Sequence, residues 1–297
     1  MQAGKGKYIL AVLASAFLWG FMGLVTRLMG SLGVAPGGII FIRCSLAAVM
    51  FGITLIFTDL KQFRIKLRDF WCFLGTGILS SLFFTYCYFT ATTIMSLSAA
   101  SILLYTAPVM VVIMSSILFK ESFGINKLIA LILSLIGCAL VSGIVGSDVK
   151  ISARGLFLGL CAGFGYALYS IFARFAINRG YSSNTINFYS SVITAVGAAL
   201  LFGISSPIAI MFSSVNTLLL CLAVAFFSCY LPYMFYTYGL TGLPSGTASI
   251  IATIEPVVAS LVGIIIYKET LSLPAFLGIV LVLGAVILLN VKQKGNS

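Results

Sequence analysis

Arg43 and Glu255 carry formal charge in places where charge is costly. Arg43 sits in GGIIFIRCSLAAVMFGITLIF and Glu255 in TASIIATIEPVVASLVGIIIY, each an apolar run of about twenty residues. An ionised side chain at the centre of a membrane helix costs about 2.5–3.5 kcal/mol on insertion scales, and such residues face the protein interior. The other acids, among them Asp59, Asp69, Glu121, Asp148 and Glu269, lie at the edges of such runs. Three readings of the two inner charges are open. They bind each other or nearby backbone as structural glue, where losing one partner strands the other. Alternatively, Glu255 faces a cavity and takes a substrate amine, or a proton that it carries across. In the third reading Arg43 anchors a carboxylate or phosphate on a solute, although no second basic residue lies deep in a span to help it with a phosphate.

The elements that position these groups follow from composition. Hydrophobic residues make up 61% of the 297-residue chain and charged residues 8%, against about 25% charged in a soluble domain. The expected fold is an all-α integral membrane protein. Ten apolar segments long enough to span a bilayer fall near 8–29, 36–58, 70–91, 96–119, 125–145, 155–176, 184–204, 216–238, 244–267 and 273–290. The first runs on to Arg27 without a small-residue cleavage site and reads as a retained span. The net charge of +11 reads as positive-inside bias rather than nucleic-acid binding. With the N-terminus inside, twelve cations fall inside (Lys5, Lys7, Lys61, Arg64, Lys66, Arg68, Lys120, Lys127, Arg174, Arg179, Lys292 and Lys294) and four outside (Arg27, Lys150, Arg154 and Lys268). Both termini are therefore expected in the cytoplasm, with the chain in the cell membrane.

The chain repeats itself. SLSAASILLYTAPVMVVIMSSILFKE at 96–121 matches PSGTASIIATIEPVVASLVGIIIYKE at 244–269 at an offset of 148. The match pairs Ser101 with Ser249, Pro108 with Pro256, and Lys120-Glu121 with Lys268-Glu269. Upstream, Ser80 pairs with Ser228 and Tyr88 with Tyr236, while at an offset of 147 Phe17 pairs with Phe164 and Arg27 with Arg174. The expected repeats are 1–145 and 149–291. Five spans per copy is an odd number, so the second copy enters the membrane upside down. Two inverted five-helix repeats around a central cavity is an architecture that secondary transporters use, with the substrate site near the midplane. Pro108 and Pro256 leave the carbonyls of Leu104 and Ala252 without a helical donor, so spans four and nine are expected to kink or break there.

The expected cavity wall carries aromatic and hydroxyl residues in equivalent pairs: Trp19 with Tyr166, Tyr88 with Tyr236, and Ser101 and Tyr105 with Ser249 and Thr253. An apolar lining with a few convergent polar groups suits a small amphipathic solute, and aromatic faces can hold an ammonium. Lys120-Glu121 and Lys268-Glu269 read as helix caps or as gating pairs. The seven cysteines lack metal or disulfide spacing and read as small packing residues. There is no histidine and no paired nucleophile and base, so no enzyme and no cofactor are expected. GxxxxGK[ST] is absent, so ATP is not expected to drive the chain directly.

The chain resembles the drug/metabolite transporter superfamily, EamA type. The resemblance rests on FLWG at Phe17–Gly20, FIR ending in Arg43, YFTATTIMSLSAASILLYTAP, YTAPV, and IEPVV followed by an apolar run to Lys-Glu. It implies ten helices in two inverted bundles and movement of small organic solutes, often amino acids or their relatives and often outward. The expected function is thus a secondary exporter of amino-acid-like or amine metabolites. A facilitative channel is the alternative. The expected partners are a small-molecule substrate, the lipid bilayer and a coupling proton, with no nucleic acid; the chain is expected as a monomer or weak homodimer.

Overall fold

The computed structural model describes residues 5–143, 152–268 and 270–290. Asp148, Lys150, Glu269, Lys292 and Lys294 lie outside the described residues, as do the inner edges, 145 and 149, of the expected repeats. The described chain is helical throughout: α1 (Gly6–Gly20), α2 (Met22–Ser31), α3 (Pro36–Thr58), α4 (Phe70–Leu74), α5 (Phe83–Ile94), α6 (Leu97–Leu104), α7 (Ala107–Phe119), α8 (Ile125–Val141), α9 (Ala153–Asn178), α10 (Ser183–Phe202), α11 (Ser205–Met211), α12 (Val215–Ala225), α13 (Leu231–Gly242), α14 (Ser245–Ala252), α15 (Glu255–Tyr267) and α16 (Leu273–Asn290). Among the described residues, eight helical stretches are long and apolar enough to cross a membrane, while Ile125–Val141 and Leu273–Leu289 are apolar but shorter.

Several expected spans are not continuous α-helices. The first breaks at Phe21. The fourth breaks at Tyr105–Thr106 and the ninth at Thr253–Ile254. Proline explains the last two. Pro108 and Pro256 each occupy the first turn of the following helix, where no intrahelical N–H donor is required. The Thr106 hydroxyl donates to the Leu103 carbonyl and the Thr253 hydroxyl to the Ile250 carbonyl, both at 2.6 Å. Spans three and eight instead contain π-helical turns, Gly75–Leu82 and Phe226–Tyr230. Ser80 and Ser228, matched in the sequence, lie in these two turns.

The strongest packing runs between the two copies. α1 lies against α13 and α5 against α9; α3 lies along α10, α7 against α14, and α8 along α16. Exchanging the copies turns the first pair into the second and maps α3–α10 and α8–α16 each onto itself, so the sequence repeat is also a repeat of these contacts, whereas the image of α7–α14 is α15–α6. α7 and α15 both end on a lysine with left-handed backbone, Lys120 at φ 53° and Lys268 at φ 58°, which closes the helix C-terminus. Among the described residues no ion pair joins Lys120 to Glu121, and the Glu121 carboxylate is paired with Lys127.

α8 and α16 approach almost backbone to backbone. A Cβ on Gly278 would stand 2.6 Å from the Gly137 carbonyl oxygen, and one on Gly137 would stand 2.8 Å from that of Gly278. Small residues permit such contact in membranes. Gly278→Leu should therefore separate the two short helices and cost about 1–3 kcal/mol, seen as a lower unfolding temperature of the purified protein. An unchanged transition would show that this crossing is not needed for stability.

Candidate functional site

A cavity of about 160 Å³ lies between the helices, an order of magnitude more than the roughly 10–15 Å³ that one water requires. α1 contributes Trp19 and α9 contributes Tyr166. α3 contributes Ile40, Arg43 and Cys44, and α5 contributes Phe84 and Tyr88. α10 contributes Asn187, Ser190, Ser191 and Thr194, and Glu255 comes from the start of α15. At the 147 offset, Ile40, Arg43 and Cys44 correspond to Asn187, Ser190 and Ser191. The two copies thus present the same positions of their second spans to one space.

The break before α15 positions Glu255. As the first residue of that helix, it stands at the positive end of the helix dipole. Its carboxylate accepts a hydrogen bond from the Tyr166 hydroxyl at 3.2 Å. Arg43 is held elsewhere: Nε donates to Ser228 Oγ at 2.8 Å and Nη2 to the Ser228 carbonyl at 2.5 Å. Among the described residues no ion pair joins Arg43 to Glu255. The glue reading thus survives only in its backbone form, with Arg43 tying α3 to the π-turn. One charge of each sign borders the same cavity.

The other candidates are distributed around these two. Trp19 packs edge-on to Tyr166 at 6.3 Å and at a tilt to Tyr236 at 5.3 Å between ring centroids. Tyr88 borders the cavity and shares a hydrogen bond of 3.2 Å with Ser101, which therefore reaches the cavity through Tyr88. Tyr105, Ser249 and Thr253 line a smaller space of about 20 Å³ that shares Tyr166 and Glu255 with the first. Tyr236 is buried behind Trp19, and its hydroxyl is bonded to Ser170 at 2.7 Å.

Sequence reasoning missed the α10 wall. Asn187, Ser190, Ser191 and Thr194 follow one another at i, i+3, i+4 and i+7, the spacing of a single helix face. This polar stripe in an apolar span was a legible signal. It lacks the formal charge and the aromatic rings that mark the other candidates.

At the end of the molecule where the chain begins, polar groups bridge the copies. Glu121, after α7, accepts from the backbone N–H of Ser245 at 2.6 Å and of Gly246 at 3.2 Å, and from Lys127 Nζ at 3.4 Å. It thereby satisfies free amides at the start of α14. Arg174 donates to Ser245 Oγ at 3.0 Å and to the Leu243 carbonyl. Arg179 pairs with Asp69 at 3.0 Å, and the Tyr181 hydroxyl donates to the same carboxylate at 2.8 Å. Burial by itself would push the Glu121 carboxyl up, but the Ser245 and Gly246 amides and the Lys127 ammonium outweigh it and hold it below the usual carboxylate value.

Comparison with known proteins agrees with this picture. The profile of the EamA-like transporter family matches residues 6–143 and again 153–291. An uncharacterized transporter of Archaeoglobus fulgidus is 30% identical over 189 residues, a match spanning 64% of this chain and 65% of that protein. A second from the same organism is 27% identical across 95% of this chain and 97% of its own length. The uncharacterized transporter YdfC of Bacillus subtilis is 25% identical over 78% of this chain and 75% of its own. One crystal structure superposes with a TM-score of 0.77 at 14% identity, covering 95% of this chain and 96% of the other, which shows a shared fold. With both halves matched, the chain is a multi-pass membrane protein that belongs to the EamA-like transporter family.

Proposed function

We propose that this protein is a secondary transporter that moves small amphipathic metabolites, amino acids or related amines, by alternating access. In this reading ten helices in two inverted repeats enclose one central cavity in the cell membrane, with both termini in the cytoplasm. The observation that carries it is the cavity itself. Equivalent positions of the two copies line it, Arg43 and Glu255 border it, and copy-spanning polar contacts link the protein at one end. A solute with an ammonium, a carboxylate and an apolar side chain would find a partner for each part. Export is the direction the family resemblance implies, and Glu255 is the group suited to carry a coupling proton.

The repeat supports the alternating step. In the sequence, Arg27 corresponds to Arg174, Glu269 to Glu121, and the residues of α6 to those of α14. The closing groups of each copy thus have sequence counterparts at the repeat-equivalent positions of the other.

Reconstituted liposomes test the reading directly. A carrier should show saturable counterflow of labelled amino acid or amine, whereas unsaturated flux without counterflow would mean a channel. Glu255→Gln should remove the dependence of transport on a proton gradient and make solute binding independent of pH. A variant that binds and transports as the parent does at every pH would remove Glu255 from the coupling role.

The Glu121 closure carries its own pH dependence. Because the carboxyl is held low in the closed form, its contribution is present above the usual carboxylate range and is lost as the pH falls through the lowered value. Spin labels at Lys120→Cys and Thr241→Cys, in a background freed of native cysteine, should acquire a longer-distance population on acidification. Glu121→Gln should produce it already at neutral pH. A single unchanged distance in both experiments would show that Glu121 does not hold this end shut.

A further inference from the structure

Asn187 is 1% exposed, on the cavity wall. Its Oδ1 accepts from the Tyr169 hydroxyl at 2.6 Å and from the Thr237 hydroxyl at 3.0 Å, and those two hydroxyls lie 2.8 Å apart. The carbonyl branch of the amide thus faces the hydroxyls. The other branch, Nδ2, has no hydrogen-bond partner. Among the described residues two other buried side-chain atoms are in that condition, Ser15 Oγ and Ser116 Oγ, and neither serine lines the cavity. A hydroxyl can turn its proton toward a nearby carbonyl. With Oδ1 on the two hydroxyls, the Asn187 N–H groups are left without an acceptor.

A buried donor without a partner bears the full cost of its desolvation. Nδ2 can only donate, so what relieves it is an acceptor oxygen. An amine gains nothing there. Arg43, another donor-only group, is on α3, which packs along α10. Glu255, an acceptor when ionised, comes from α15.

We propose that Asn187 is a specificity-determining residue, whose side-chain N–H groups receive a carboxylate or amide oxygen of the solute and select solutes that carry one. Tyr169 and Thr237 are its positioning residues. The proposal rests on the transport reading above for the cavity being a solute site, and it adds the class of solute.

The test uses the full-length purified protein in detergent and a panel of L-amino acids. Each is compared with its amide and its decarboxylated amine, for example L-leucine, L-leucinamide and 3-methylbutylamine, with binding followed by thermal stabilisation and calorimetry. The parent protein should bind the acid and the amide more tightly than the amine. Asn187→Ala, which leaves the Tyr169–Thr237 bond in place, should weaken acid and amide about tenfold or more while leaving the amine within about twofold. Asn187→Asp keeps the Oδ1 contacts and should reject the acid more strongly than the amide. Unfolding without solute identifies a variant that does not fold, and the other then decides. Equal loss for all three solutes, or no loss, overturns the assignment. Absence of binding by every member of the panel overturns both the assignment and the proposed solute class. The expected pattern without counterflow in liposomes would leave Asn187 as a solute contact and end the transport reading.

Discussion

A bilayer offers no water to a polar group, so each one inside it must be met by protein or by a wet cavity. Much of this structure follows from that constraint. Prolines 108 and 256 end α6 and α14 early and start α7 and α15 anew, and threonine hydroxyls take up carbonyls at the breaks. The carbonyl of Ser228, in the π-turn, is taken by Arg43. Glu255, at the head of a half-helix, is met by the Tyr166 hydroxyl. Irregular backbone and buried charge therefore occur together, and both border the same space between the copies.

The duplicated sequence makes that space shared. Because the closest helix pairs join one copy to the other, neither copy closes around a core of its own. A polar residue on one copy's second span faces the cavity beside its counterpart on the other. Arg43 and Ser190 are such a pair, as are Ile40 and Asn187. The two members have diverged in chemistry while keeping their place, and an asymmetric solute can be read by such a wall. The copy-spanning contacts of Glu121 and Arg174 show the same economy. They satisfy the free amides and a carbonyl around the start of α14, and they do so only while the two copies stay together at that end.

Much of this was legible in the residues. The apolar runs, the repeat, the motifs from FLWG to IEPVV and the proline breaks could all be read from one strand of text, since each depends on local composition or on similarity at fixed spacing. Trp19, Arg43, Tyr88, Tyr166 and Glu255 do border one cavity. Tyr105, Ser249 and Thr253 fall in a side space, Ser101 acts through Tyr88, and Tyr236 is turned behind Trp19. Knowing that a residue lies at mid-span does not say which face of its helix meets which neighbour. The π-turns were less legible for a related reason: Gly75 and Gly77 weaken a helix and Pro232 removes the helical donor to the Ser228 carbonyl, but neither signal by itself specifies a π-turn rather than a kink.

By itself the sequence determined that the chain is a membrane protein, that it is built from two copies, and that it carries one cation and one anion deep in its spans. These are properties of composition and period, and no fold can change them. Only the tertiary structure decided that Arg43 binds Ser228 and Glu255 binds Tyr166 rather than one another, that α10 supplies a polar wall, and that Asn187 is left with an amide unpaired. Partner choice depends on which side chains meet between helices far apart in the chain, 185 residues for Arg43 with Ser228 and 89 for Glu255 with Tyr166, and that is settled by packing helices together.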